Sequence, residues 1–536
     1  MRRILLLAAL LVGCPSEPVE PTPAPTPYPP PRPPAAPSDD PDDWPGPGGT
    51  CGLGTDLVDA RFLEGDLVAF ELRCDGELGI DEVELRPVEL PAQGSLEANA
   101  FTWQTGPADG GRYDLVFSVR PLDDPDAVPV AEAVTFWVAD DPFSETNVSV
   151  VPEEYTEEWG IPVFHVDVSG GVSQSYSDAD ITFEGRTYTG QIKVRGASST
   201  SYPKKSYTLE FSAEELPVDA WGVTRDHLYL VTTFDDNSYV RQKLIYDQWE
   251  AMGEYWERPR LAPRTFFTIL YLDGVYQGVY TAIDRIDNEF VDHMGFARNG
   301  NLYKSINHDA NFYYTRANGS QKSNLHNGYE KKEGLEGDWS DLDALVDWAA
   351  GSDAQTVIDQ SASWFDLQEF MDWFLLVHYS ESGDSAGKNA YLHNDPDTPI
   401  WFQMTPWDFN HAWGQSWRTG RISSSNLNSF DNRNRIFRAI HEVPAADDEL
   451  WARFTAMRDD GPYSLTWMHG KLDEYYALID ASAARDWQLW GDAYMSFGRW
   501  ANDRTNAGNW QDYDGEKAYV YQWIQERHDL FLVNHP

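Results

Sequence analysis

Apolar residues alternate with polar ones in short runs through the first part of the chain and recur at helical spacing in the last part. That order constrains the fold more than any single motif. Residues 67–72, 113–119 and 133–138 alternate between turn-rich segments and predict a small all-β sandwich over 51–141, in which no group of residues looks catalytic. From 147 the same texture predicts strands over 163–168, 188–195, 206–211, 228–232, 266–272 and 279–284. Helices follow. Residues 237–252 place Val240, Leu244, Ile245 and Trp249 on one face, residues 364–382 do the same with Leu367, Phe370, Phe374 and Val377, and 450–457, 463–484 and 519–532 continue the pattern. The expectation is an α+β unit over 147–536, a strand-rich lobe followed by a helical lobe, behind a sandwich of immunoglobulin-like size.

The N-terminal 14 residues, MRRILLLAALLVGC, join two arginines to an apolar run of about ten residues, too short for a membrane-spanning helix and suited to an export signal. The end of that run, Leu11-Val12-Gly13-Cys14, resembles the bacterial lipobox, with an ordinary signal peptide as the alternative. The resemblance implies cleavage before Cys14, lipidation of Cys14 and a lipoprotein of the cell envelope facing the periplasm or the exterior, touching membrane only through its lipid. Residues 15–50 hold 15 of the 34 prolines, including Pro29-Pro30-Pro31. Such a segment favours extended polyproline II and makes a stiff linker that can reach on the order of 100 Å. Beyond it no apolar stretch approaches 18 residues. Cys51 and Cys74 lack the spacing of a zinc site, and in an exported chain they pair most simply as one disulfide worth about 3 kcal/mol.

Forty Lys and Arg against 87 Asp and Glu give a net charge of −47, which repels phosphate backbones and anionic headgroups and excludes a nucleic-acid partner. Cation binding is compatible with that charge, as is a solvated acidic surface. No oligomerisation signal is visible, so a monomer is expected.

Chemistry concentrates in residues 383–389. Gly383-Asp384-Ser385-Ala386-Gly387 matches GxSxG, in which Ser385 would be an esterase nucleophile, but that motif needs a strand before it and a helix after, the reverse of the order predicted here. Asp384 and Asn389 also stand as D-x4-N, the spacing of a protein-kinase catalytic loop, followed by two short strands and Asp408-Phe409-Asn410 where a kinase carries its metal-binding Asp. Both aspartates are equally at home as turn residues. Positive charge for phosphates is offered by Arg195, Lys204 and Lys205 around a small polar loop containing Ser198 and Ser199, whose backbone amides can cradle an anion. Neither a GxGxxG nor a Walker loop occurs.

Four blocks in this order resemble the CotH family of atypical kinase-like proteins: Arg195-Gly196-Ala197-Ser198-Ser199 with Lys204-Lys205-Ser206-Tyr207; residues 235–241; Asp273-Gly274-Val275-Tyr276-Gln277-Gly278-Val279-Tyr280; and 384–389 with Pro406-Trp407-Asp408-Phe409-Asn410. The resemblance implies an atypical, bilobal protein-kinase-like domain that transfers phosphate from ATP to Ser or Thr of surface proteins with Mg2+ or Mn2+. It implies Asp384 as catalytic acid/base with Asn389 beside it in the catalytic loop, Asp408 as metal ligand assisted by Asn389, and Arg195, Ser198, Ser199, Lys204, Lys205 and Asp284 at the nucleotide and its phosphates. Asp284 stands where the family often has Glu, and Asn410 where it often has a further Asp. A non-catalytic surface adhesin or polymer-binding protein is the alternative, because fold alone does not fix function.

Overall fold

The computed structural model describes residues 51–232, 234–395, 401–417, 419–497 and 512–535. Cys14, the lipobox, the proline-rich segment and residues 396–400 lie outside the described residues. Among the described residues no helix is long and apolar enough to cross a membrane.

Residues 51–139 form two four-stranded sheets. One runs Leu53–Thr55, Leu67–Cys74, Ala100–Gln104, Ser95–Glu97, and the other Arg61–Leu63, Val130–Ala139, Gly111–Pro121, Val83–Pro87. Strict alternation buries Val68, Phe70 and Leu72 on one side of their strand. Phe101 and Trp103 from the first sheet meet Phe136 of the second at ring-centroid distances of 6.3 Å. The expected disulfide joins Cys51 to Cys74, tying the chain just before the first strand to the end of its neighbour.

The strand-rich half of the second region departs from expectation. Its strands run Ser177–Phe183, Arg186–Arg195, Ser206–Phe211, His227–Thr232, Val275–Asp284, Thr265–Leu272, Ile161–Val168, and the last pairs back with the first. This closes a seven-stranded barrel. Every pairing is antiparallel except Ile161–Val168 with Thr265–Leu272. Phe164, Ile181, Ile192, Leu209, Leu230 and Leu270 fill its interior, while the alternate residues Val163, Ile269, Val279 and Ile283 face outward into a second, larger core. The mixed α+β character expected from the sequence is present, with its strands closed into a barrel.

Helices complete that larger core. Arg241–Tyr255 buries Leu244, Ile245, Trp249 and Met252, and Leu367–Ser380 is buried over almost its whole length. Leu465–Ser496 and Tyr513–Asn534 close the chain. A four-stranded antiparallel sheet, ordered Tyr329–Glu333, Asn301–Ser305, Ala390–Asp395, Trp401–Pro406, lies between the barrel and the last helices in sequence.

Candidate functional site

Strand register builds the site. Ala390 pairs with Pro406 in an antiparallel ladder, so the residues just before 390 and just after 406 must lie side by side. The Trp407 amide donates to the Asn389 carbonyl at 3.0 Å, and the Asn389 amide nitrogen donates to Asp384 Oδ2 at 3.3 Å and to the Asp408 carbonyl at 3.4 Å. Asn389 and Asp408 adopt left-handed backbone, φ 55° and 58°, a region that Asn and Asp enter more readily than most residues. Asp384 sits on the single turn Gly383–Ser385, reached after the helix Leu367–Ser380 stops at Glu381, itself left-handed at φ 56°. The three residues picked out by D-x4-N and by the downstream Asp are therefore brought together.

Asp384 is flanked by His308 Nε2 at 3.1 Å and Lys388 Nζ at 2.8 Å. Burial pushes its carboxyl up, but the hydrogen bonds from His308 and then Lys388 outweigh burial and hold it well below the usual carboxylate range. The Asp408 side chain is exposed, and its backbone amide donates to the Tyr246 hydroxyl at 3.1 Å, which fixes it to the helix Arg241–Tyr255. Beyond it, the Asn410 amide nitrogen is turned to Asp235 at 2.6 Å, a carboxylate that also holds His411 Nε2 at 3.2 Å and the Tyr202 hydroxyl at 3.0 Å.

Cations gather beside Trp407, next to Asp408. The Arg195 guanidinium lies 4.0 Å from the Tyr229 ring centre and 5.6 Å from that of Trp407, and the Lys304 ammonium lies 5.5 Å from Trp407 and from Tyr391. Lys193, two residues before Arg195 and so on the same face of its strand, stands over Tyr176 at 3.9 Å. Burial and then Arg195 push the Lys304 ammonium down to about 8, against a pull from Asp408. Among the described residues no carboxylate comes within ion-pair distance of Lys193, Arg195 or Lys304. Three such cations lie on one surface of a chain with twice as many acids as bases.

The other expected phosphate contacts are placed differently. Lys204 is completely buried, with its ammonium on Asp486 and on the Val279 carbonyl at 2.6 Å. Asp486 also accepts from the Tyr239 and Tyr494 hydroxyls, each at 2.6 Å, and from the Val279 amide at 2.8 Å. Gly278 is required there, because it has φ 87° and a Cβ would lie 2.1 Å from Asp486 Oδ2. Lys205 donates to the carbonyls of Thr200, at 3.0 Å, and Tyr202, so it braces the Ser198–Ser201 turn from behind. Ser198 is exposed and Ser199 partly so at the tip of that turn. Asp284 is buried between Arg225 at 2.8 Å and Arg264 at 2.6 Å. Lys204 and Asp284 are thus used in buried ion pairs, which have no side-chain atom to offer a ligand. Ser385 is 1% exposed on a turn between a helix and a strand, which removes the GxSxG reading, since that chemistry needs an exposed hydroxyl at a strand-to-helix elbow.

Sequence reasoning missed Lys304 and His308, which come from a strand and loop some 80 residues upstream of Asp384 with no motif around them, and gave Lys388 no role. The available signal was a lone Lys in the strand-like run Leu302-Tyr303-Lys304-Ser305.

Among the described residues no cluster of three or more His, Cys, Asp or Glu is arranged to hold a metal ion by itself. In comparisons with known proteins, the pattern of the CotH kinase protein family matches residues 192–531. The inner spore coat protein H of Bacillus subtilis (strain 168) is 24% identical over 234 residues, covering 44% of this chain and 61% of that relative. The chain therefore spans less than two thirds of the length of the relative it matches. Since the family pattern runs from the strand that carries Arg195 through the site residues and into the last helix, well over half of the sequence, this chain belongs to the CotH kinase protein family.

Proposed function

We propose that this protein is a divalent-metal-dependent phosphotransferase that carries the γ-phosphoryl group of ATP to Ser or Thr hydroxyls of proteins. The observation that carries this reading is the set of cations at Lys193, Arg195 and Lys304, without carboxylate partners among the described residues, beside the exposed carboxylate of Asp408. Bound ATP supplies the transferable phosphoryl group, and Mg2+ or Mn2+ neutralises its oxygens. Arg195 and Lys304 hold the phosphates, with Ser198 and Ser199 on the turn that follows Arg195. The Asp408 carboxylate holds the metal. Asn389 spends its amide nitrogen on Asp384 and Asp408, which leaves its amide oxygen as a second ligand. One or two carboxylate or amide ligands, completed by phosphate oxygens and water, suit Mg2+. Asp384 is kept anionic by His308 and Lys388, so it orients the acceptor hydroxyl and takes its proton as the new O–P bond forms and the bond from the γ-phosphorus to the bridging oxygen breaks, releasing ADP. In this reading the barrel and the helical region act as the two lobes of a kinase.

The relative's name places it in a spore coat, and an export signal with a lipidated Cys14 would likewise put this chain at a surface, where it acts as a monomer. The test is incorporation of labelled phosphate by the full chain with ATP and Mn2+ or Mg2+, together with calorimetric ATP binding. Asp408→Asn is expected to abolish metal-dependent nucleotide binding and transfer, and Asp384→Asn to abolish transfer while sparing binding. No binding and no transfer by the wild-type chain would overturn the reading and leave a non-catalytic surface binder.

A further inference from the structure

Asp384 faces a cleft of about 280 Å³ whose walls include His308, His411, Trp417, Phe430 and Arg433 and none of Arg195, Lys304 or Asp408. Resting on the phosphotransferase reading, we infer that this cleft seats the hydroxyl-bearing residue of an acceptor polypeptide, and that Arg433 selects acceptors with an acidic side chain next to that residue.

Three observations carry the inference. First, the cleft reaches the carboxylate that would orient the hydroxyl from a side that excludes the phosphate-holding cations, as two substrates meeting in line require. Second, its acidic groups are engaged within the fold. Asp384 is paired with His308 and Lys388, and Glu381 is held by Asn428 at 2.7 Å and Arg527 at 3.3 Å. Third, Arg433 is only partly buried, with one nitrogen donating to the Gly383 carbonyl and its guanidinium 5.9 Å from the Phe430 ring centre. Among the described residues it meets no carboxylate, although 87 are present in the sequence. A guanidinium fixed by a backbone carbonyl, with its remaining donors unmatched by an acid, is arranged for a carboxylate from outside. Trp417, 46% exposed, and Phe430 supply apolar surface for the backbone and side chains around it. The acidic surface of the chain repels acidic peptides at long range, so Arg433 acts in discrimination at contact distance, where salt screens it least.

The experiment uses the full chain and synthetic peptides with one central Ser flanked by Glu, Ala or Lys. Binding is measured calorimetrically without nucleotide, and transfer is measured with ATP and metal. Wild-type protein is expected to bind and phosphorylate the Glu-flanked peptide roughly tenfold better than the Ala-flanked one, the size of one charge-assisted contact. Arg433→Gln can keep the bond to the Gly383 carbonyl but loses the charge. It should abolish that preference through KM, with kcat and ATP binding unchanged, and Arg433→Glu should turn the preference toward the Lys-flanked peptide. Equal binding of Glu- and Ala-flanked peptides by the wild type, or a preference that survives in both variants, overturns the inference. Absence of phosphate transfer from any peptide or from the chain itself would instead count against the phosphotransferase reading, and the nucleotide-free binding measurement still decides the role of Arg433.

Discussion

Asp384 and Lys304 show opposite outcomes of the same contest between burial and neighbouring charge. Asp384 gains hydrogen bonds from His308 and from the Lys388 ammonium and stays ionised, whereas Lys304 is crowded by Arg195 and gives up its proton more easily. With its ammonium pushed down to about 8, Lys304 is charged near neutrality and loses that charge as pH rises through the value. ATP affinity is therefore expected to fall between about pH 7 and about pH 9. Lys304→Arg should keep the affinity flat over that range and Lys304→Met should make it uniformly weak, as read by nucleotide titration at each pH. Lys204 tests the contrary role. Removing its counter-ion by Asp486→Ala strands a buried ammonium and takes the acceptor from two tyrosine hydroxyls. Urea denaturation should show a loss of about 3–5 kcal/mol. Replacing both partners, Lys204→Met with Asp486→Leu, should cost less than the single change, because no unpaired charge is left behind.

At the level of elements, alternation located the strands Arg186–Arg195, His227–Thr232 and Thr265–Leu272 to within two residues at each end, but not Ser177–Phe183, Asn301–Ser305 or Tyr329–Glu333. The strand Ser206–Phe211 matches its expectation to the residue. The first helix starts at Arg241 rather than 237, because the Asp236 carboxylate accepts from the amides of Ser238 at 3.0 Å and Arg241 at 3.1 Å and holds the intervening residues in a turn. Closure of the barrel was not legible. It depends on Ile161–Val168 pairing with a neighbour close in sequence on one side and with Thr265–Leu272, about a hundred residues on, in parallel on the other, and periodicity carries no information on partners. The triad of Asp384, Asn389 and Asp408 was legible because a short hairpin fixes its geometry, whereas Lys304 and His308 reach it only through tertiary packing. The expected separation of Cys51 and Cys74 from the chemistry gives a prediction at this scale. Reduction, or Cys51→Ser with Cys74→Ser, should destabilise the two-sheet region by about 3 kcal/mol in thermal unfolding. ATP binding should not change.

Across the whole molecule, the two-sheet region is fastened to the barrel by polar groups. Trp159 donates to the Phe62 carbonyl at 3.0 Å, the Tyr271 hydroxyl to Asp140 at 2.7 Å, and Arg485 to Glu158 and the Asp140 carbonyl. Glu64 lies at this seam, accepting from the Gly110 amide at 2.9 Å and the Asp141 amide at 3.4 Å. Burial, and then Asp140, push its carboxyl up to about 7. Since the folded form holds this proton more tightly than the unfolded chain, the stability it contributes is complete below about 4.5 and declines as pH rises through about 7. Glu64→Gln, which carries no titrating proton, should raise the melting temperature relative to wild type at about pH 8 and lose that advantage at about pH 4.5. The helix Leu465–Ser496 brings Arg485 to this seam and Asp486 to the barrel with two adjacent residues. Lys204 must wait for a partner 282 positions further along the chain, so a nascent barrel leaves synthesis with a bare ammonium facing its wall. Assembly of the barrel with the last helices is thus a late event of high contact order, and chains ended before Leu465 should be recognised as unfinished by proteases and chaperones rather than persist in a half-folded form.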